Sequence, residues 1–166
     1  MNDLSWWLKN FKRSAFRLEA LQEYLVPQET QMLAAFRRGE EVKLSEHHPW
    51  LRLLRQHTAQ GRFVERVRIV QPPMSDYVKF EMALYQYSSA AGEQIRILES
   101  DHRIHNDWWL FDDEVVVKLK YDSGGVFAGT EMVDSESLVE HYIRQRFLVL
   151  EHSIPLADYT ARAARQ

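Results

Sequence analysis

The chain predicts an α/β (or α+β) fold: one mixed parallel and antiparallel sheet covered by helices and preceded by an N-terminal helical extension. Three observations predict it. Up to Gly61, apolar residues recur at helical intervals. From Phe63, a strand, an amphipathic helix and a second strand follow one another. From Asp107, apolar runs alternate with tight turns, the pattern of antiparallel hairpins.

The elements follow in order. SWWLKNFKRSAFRLEAL places Trp7, Phe11, Phe16, Leu18 and Leu21 at roughly helical intervals, with bases and Glu19 between them. Pro27 opens a second helix, Met32, Leu33 and Phe36 form its apolar stripe, and Gly39 stops it. Pro49 opens a third, with Trp50, Leu53, Leu54 and His57 spaced by three and four, and Gly61 closes it. FVERVRIV then reads as a strand ended by Pro72 and Pro73. SDYVKFEMALYQYSSAAG is an amphipathic helix with Tyr77, Phe80, Leu84, Tyr87 and Ala91 on one face, and EQIRILES is a second strand. A strand, a helix of that length and a strand make a right-handed crossover, so the two strands are expected to be parallel neighbours. DWWLFDD and EVVVKLKYD form two further strands about a turn at Asp112 to Glu114, and Ser123-Gly124-Gly125 turns into VFAGTEMVD. Asp134 or Ser135 caps a long helix carrying Leu138, Tyr142, Phe147 and Val149, which Pro155 ends. The expected order is α-α-α-β-α-β-β-β-β-α. Residues 1–47 are the helical extension, 48–156 the core, and 157–166 a frayed tail, all in one compact domain.

Composition narrows the function classes. The net charge of -3 speaks against direct nucleic-acid binding, which ordinarily needs a basic excess to neutralise phosphates. The absence of cysteine excludes thiolate metal sites, disulfides and a cysteine nucleophile, and suits a reducing cytoplasm. No apolar run approaches the ~20 residues of a membrane span, and MNDLSWWLKNFKRS lacks the apolar stretch of a secretory signal. A soluble cytoplasmic protein is the expectation.

Two resemblances carry further implications. FKRSAFRLEALQEYLVPQE, GRFVERVR, DYVKFEMALY, AGEQIRIL and DWWLFDD resemble the words of an uncharacterised actinobacterial domain family, found beside or fused to helix-turn-helix regulators. That resemblance implies a regulatory setting and no particular chemistry. Residues 48–156 also resemble a phospholipase-D-like half-domain. There, AQGRFVERVRIV and AAGEQIRIL match two strands that each follow a glycine-ended helix, and RQRFLVLEHSIPL matches the closing helix. The family's catalytic word, His-x-Lys-x-x-x-x-Asp, corresponds to His105 through Asp112, with Asp107 standing at the lysine position. In such enzymes the histidine attacks phosphorus and the lysine neutralises phosphoryl charge. An aspartate there would repel the phosphate, so the resemblance implies an inactive version.

The candidate site residues are weighed on chemistry. As an enzyme the chain would use His105 with Asp107 or Asp112, in phosphodiester hydrolysis or phosphoryl transfer. Asp112, Asp113 and Glu114 suit a metal or a general base, but aspartates also favour turns, which is the expected role. His102, His105 and Asp107, like His47 and His48, have no helical i,i+4 spacing, so no metal site and no cofactor is expected. Trp108 and Trp109 point to opposite strand faces. Ligands of open α/β sheets bind beyond the carboxyl ends of parallel strands, here Val70 to Met74 and Leu98 to Asp101. A pocket bounded by Arg66, Arg68, Tyr77, Glu81, Trp108 and Trp109 would hold a small polar ligand; otherwise Glu65, Arg66, Arg68 and Arg96 form a solvated strand face. Trp6 and Trp7, interleaved with Lys9, Lys12, Arg13 and Arg17, dock a partner, contact phosphate or, as the favoured reading, pack on their own domain. The leading expectation is a non-catalytic accessory or sensor protein that binds a protein partner, such as a helix-turn-helix regulator, and a small ligand. A hydrolase and a ligand-free homodimer are the alternatives.

Overall fold

The computed structural model describes residues 2–101 and 106–166. Its frame, among those residues, is a seven-stranded sheet. The strands are β1 (Ser14–Glu19), β2 (Phe63–Val70), β3 (Gln94–Glu99), β4 (Asp107–Phe111), β5 (Val115–Tyr121), β6 (Phe127–Val133) and the short β7 (Ile154–Pro155). Their order is β6-β5-β4-β1-β2-β3-β7. β1, β2 and β3 run parallel, whereas β4, β5, β6 and β7 join antiparallel. The helices are α1 (Leu4–Asn10), α2 (Thr30–Arg37, preceded by a 3-10 turn at Pro27–Glu29), α3 (Pro49–Ala59), α4 (Asp76–Ala90), α5 (Glu136–His152) and α6 (Leu156–Ala163). The mixed sheet covered by helices is therefore as the sequence predicts. So are the parallel β2-α4-β3 unit and the β4-β5-β6 meander.

The largest departure is β1. The segment expected to continue an N-terminal helix instead forms the central strand, hydrogen-bonded to β2 on one side and β4 on the other. The helical extension expected over residues 1–47 is broken by it. The physical reason is a period of two hidden by charge. Phe16, Leu18 and Ala20 face one side and Arg17 and Glu19 the other, yet all five are buried. A strand with buried charges on its second face mimics the apolar and polar spacing of an amphipathic helix. The tail also departs from expectation. Residues 156–163 form α6, because Leu156 and Tyr159 meet the β3 side of the core and alanine and arginine favour helix.

The two faces of the sheet differ in chemistry. Under α5, one face carries an apolar cluster, in which Phe16, Leu18, Val67, Ile69, Trp108 and Leu110 pack with Val139, Tyr142 and Ile143, while Glu65 and Arg96 share that face. On the other face, one apolar cluster joins Phe11, Val64, Trp109, Phe111 and Val117 to Leu51 and Leu54 of α3. A second cluster joins Val70, Ile95 and Ile97 to Val78, Met82 and Tyr85 of α4. Charged residues of β1 and β2 fill the ground between these two clusters.

The β4-β5 turn settles the role of the paired aspartates. Asp112 and Asp113 take φ of 55° and 60°, left-handed values that aspartate tolerates, at the centre of a turn closed by Glu114 N–H donating to Phe111 O (2.9 Å), and three residues connect the paired Phe111 and Val115. Asp112 also accepts backbone N–H groups of Lys12 (2.8 Å), Arg13 (2.6 Å) and Ser14 (3.0 Å), tying the entry of β1 to this turn. Those bonds outweigh burial and hold its carboxyl below the usual range.

Trp108 is fully buried against Phe16 and Tyr142, at ring separations of 5.2 and 5.1 Å. Trp108→Ala is expected to destabilise the protein by about 3–5 kcal/mol in urea unfolding, through lost burial and a residual cavity. Trp6→Ala, at a ring that is 41% exposed, is expected to cost under about 1 kcal/mol.

Candidate functional site

Parallel pairing of β1 with β2 sets Arg17 beside Arg66 and Glu19 beside Arg68. Antiparallel pairing with β4 sets Trp109 opposite Arg17. Three guanidinium groups thus share one buried sheet face, and isolated charges there would be costly. Carboxylates from four places neutralise them. Glu19 pairs with Arg66 and, at 3.5 Å, with Arg68, and it lies 3.7 Å from Arg17 Nε. Asp107 of β4 accepts Arg17 Nη2 at 2.8 Å. Glu93, just before β3, accepts Arg66 Nε at 2.6 Å, and Glu81 of α4 lies 2.9 Å from Arg68 Nη2. Hydroxyls complete the set: Tyr85 donates to Glu19 and Tyr24 to Asp107, whose second oxygen accepts the Ala20 N–H at 3.0 Å. The flat, always-charged guanidinium fork is what allows each arginine to serve several carboxylate oxygens.

The acids respond in opposite directions. Burial alone would raise the Glu19 carboxyl, but Arg66, Arg68, Arg17 and the Tyr85 hydroxyl together hold it down to about 2. Burial dominates at Glu81, where the nearby Glu19 charge adds to it and the single Arg68 contact does not offset them, so its carboxyl is pushed well up. Burial also raises Asp107 despite Arg17 and Tyr24. Glu29 is raised by burial against the Tyr77 hydroxyl that donates to it at 2.6 Å.

Over this network opens a cavity of about 620 Å³. Arg17, Glu19 and Arg66 form its floor, and Trp50, Trp109, Tyr24, Tyr77 and Tyr121 its aromatic walls. Glu29 and Glu81 line it from the α2 and α4 side, with Met32, Leu44 and Leu84 between. Trp50 meets Trp109 edge to face at 6.1 Å, and the guanidiniums of Arg17 and Arg66 stand 5.8 and 6.0 Å from the Trp109 ring centre. Arg17 neighbours the Tyr121 hydroxyl, yet its buried Nη1 has no hydrogen-bond partner among the described residues. A second cavity of about 460 Å³ lies beyond the ends of β2 and β3, lined by Pro72, Met74, Glu99 and Tyr159.

Of the residues expected around a pocket, Arg66, Tyr77, Glu81 and Trp109 are brought together by the larger cavity. That cavity lies on the sheet face, not beyond Val70 to Met74 and Leu98 to Asp101, where strand-end reasoning put it. Trp108 does not line it, because strand parity turns the ring into the opposite core. Arg68 is fully buried behind the floor. The solvated strand face expected of Arg66 and Arg68 is a buried one, while Arg96 bonds Ser153. Trp7 stacks on Phe111 at 5.7 Å as part of its own domain, and Trp6 packs edge-on against it. His102 and His105 lie outside the described residues. Asp107, paired to Arg17, and Asp112, bonded to three backbone N–H groups, are both committed to structure. No cluster of three metal-ligating side chains exists among the described residues. Sequence reasoning missed Arg17, Glu19, Tyr24, Glu29, Trp50 and Tyr121 as site residues. The alternation of Arg17 and Glu19 with Phe16 and Leu18 was the available signal.

The chain belongs to the family described as Domain of unknown function (DUF6879), whose model matches residues 2–161. No curated protein matches it. Among solved structures it is similar to Nuc from Salmonella typhimurium, a phospholipase D family member, at 12% identity with a TM-score of 0.48, covering 89% of this chain and 84% of that one. A likeness that faint transfers no residue role.

Glu19→Gln is expected to cost about 3–5 kcal/mol, because it leaves buried guanidinium charge uncompensated. The exposed-strand change Glu131→Gln is expected to fall within about ±0.5 kcal/mol. Because the folded Glu19 carboxyl titrates near 2 instead of 4.5, its stabilisation is present above pH 4.5 and lost as pH falls through about 2. Glu81, raised, contributes with the opposite sign, losing its stabilisation as pH climbs from 4.5 through its folded value. Urea midpoints measured from pH 2 to 9 should show a flattened acid limb in Glu19→Gln and a flattened alkaline limb in Glu81→Gln.

Proposed function

We propose that this protein is a non-catalytic binding module that recognises a small polar ligand in the 620 Å³ cavity and serves a regulatory system. One observation carries the reading: a cavity of ligand size, walled by aromatic rings, stands on a rigid floor of paired charges that retains an unused, buried N–H of Arg17. Binding pockets have this composition, mostly apolar with a few fixed polar groups. The commitment of Asp107 and Asp112 to structural bonds supports recognition over the hydrolase alternative. A cytoplasmic setting belongs to the same reading, and no helix among the described residues is long and apolar enough to cross a membrane. The protein partner is proposed to be a helix-turn-helix regulator. Of the two N-terminal tryptophans, Trp6 is the exposed one, so it is the residue for that contact.

Thermal-shift screening of a metabolite panel tests the ligand. A true ligand at 100-fold excess over its Kd adds about 2.7 kcal/mol, which is roughly 5–10 °C in a chain of this size. Leu84→Trp, which fills the cavity, should abolish the shift. A panel that shifts nothing, or a shift that survives Leu84→Trp, sinks the reading. For the partner, Trp6→Ala should abolish co-purification with a co-expressed helix-turn-helix regulator, and an unchanged complex counts against that contact.

A further inference from the structure

The cavity is chemically two-ended. At the floor, Arg17 and Arg66 are register partners and flank the same Trp109 ring. Arg17 keeps Nη1 unpartnered, and Arg66 commits Nε to Glu93 and Nη1 to Glu19, so Nη2 is its unspent nitrogen. This end presents donors and wants an acceptor oxygen. On the side of the 3-10 turn before α2, Glu29 lines the cavity and is bonded by the Tyr77 hydroxyl alone, with no cation among the described residues. Glu81, one helical turn beyond Tyr77, joins this wall to the floor network, and its one ion-pair partner among the described residues is Arg68, which lies behind the floor and does not line the cavity. This end presents acceptors and wants a donor with positive charge.

Resting on the ligand-binding reading above, we infer that the ligand is a small zwitterion carrying an ammonium and a carboxylate. The carboxylate meets Arg17 and Arg66, the ammonium meets Glu29 and Glu81, and the body lies among Trp50, Trp109 and Tyr24. Charge balance selects this class over its halves. The floor already matches Glu19, Glu93 and Asp107 to Arg17, Arg66 and Arg68, so an anion alone would upset that balance and leave Glu29 without a cationic partner. A cation alone would satisfy the acidic wall but leave the Arg17 N–H buried and unpaired. A zwitterion satisfies both ends and brings no net charge. Aromatic faces suit the ammonium end as well, through cation–π attraction.

Matched probes test the inference on the full chain. L-phenylalanine is compared with phenethylamine and 3-phenylpropionate, and L-leucine with isoamylamine and 4-methylvalerate, by calorimetry and melting temperature. At least one amino acid is expected to bind tenfold or more tightly than both of its single-charge analogues. Glu29→Gln, at a half-buried carboxylate with one hydrogen bond, should fold normally, as its unliganded melting temperature will show. It should weaken the amino acid and the amine about tenfold and leave the carboxylate analogue unchanged. The inference is overturned if neither amino acid binds, if an amine or carboxylate binds as tightly as its amino acid, or if Glu29→Gln binds like wild type. The broader reading survives any of those results as long as another compound of the metabolite panel gives a shift that Leu84→Trp removes.

Discussion

Three arginines on adjacent positions of two parallel strands impose the constraint that organises the rest of this structure. Once β1 and β2 pair in register, Arg17, Arg66 and Arg68 are held side by side on a face that α3 and α4 cover. Water reaches them little or not at all: Arg17 and Arg68 are buried and the Arg66 side chain is 12% exposed. Each neutralising carboxylate then has to come from a different part of the chain. Glu19 comes from the same strand, Glu81 from α4, Glu93 from the turn into β3, and Asp107 from the first residue of β4. The parallel β2-α4-β3 unit and the reversal into β4 are thus the connections that bring the counter-charges in. A one-residue slip of β1 would drive Arg17 and Glu19 into the apolar layer under α5, so the same charges also define the register.

Such a network is not an efficient way to gain stability. Buried ion pairs roughly break even against well-packed apolar residues of equal volume, although removing one partner is very costly. The face under α5 shows that this sequence builds an extended apolar cluster where packing is at stake. On the other face it places charges in mid-sheet, directly beneath a cavity. Their groups are held by one another and by Tyr24 and Tyr85, so they stand in fixed positions before any ligand arrives. Preorganised polar groups lose little entropy on binding, and that makes a charged floor useful for recognition even where it is neutral for folding.

The sequence disclosed what periodicity and turn chemistry control. The β2-α4-β3 crossover, the Asp112-Asp113 hairpin and the opposed faces of Trp108 and Trp109 all follow from local rules, and each is present. It concealed β1, because buried Arg17 and Glu19 make a strand look like a surface helix. The same concealment hid half of the site. Arg66, Tyr77, Glu81 and Trp109 were legible as pocket residues, yet their partners Arg17, Glu19 and Glu29 belong to the stretch read as helical extension. The strand ends do carry a cavity, lined by Met74 and Glu99, but the residues expected around a pocket line the other one, on the sheet face. The general rule assumes an apolar sheet face covered by helices, whereas here a charged band lies between the apolar clusters under α3 and α4.

DWWLFDD condenses the logic into one strand. Asp107 neutralises Arg17 beneath the cavity, Trp108 anchors the apolar layer under α5, Trp109 walls the cavity, and Asp112 turns the chain while tethering the start of β1. Alternation explains why adjacent tryptophans can differ so completely in role. It also couples the cavity to the network. The Trp109 ring that a ligand would touch is contacted by both the Arg17 and Arg66 guanidiniums, whose carboxylate partners reach into β1, β3 and β4. A ligand that shifts that ring, or adds charge beside it, acts on the interactions that hold four strands together. Occupancy by the proposed ligand would therefore be felt in the stability of the sheet as a whole, which would give the proposed binding module a physical route for reporting what it has bound.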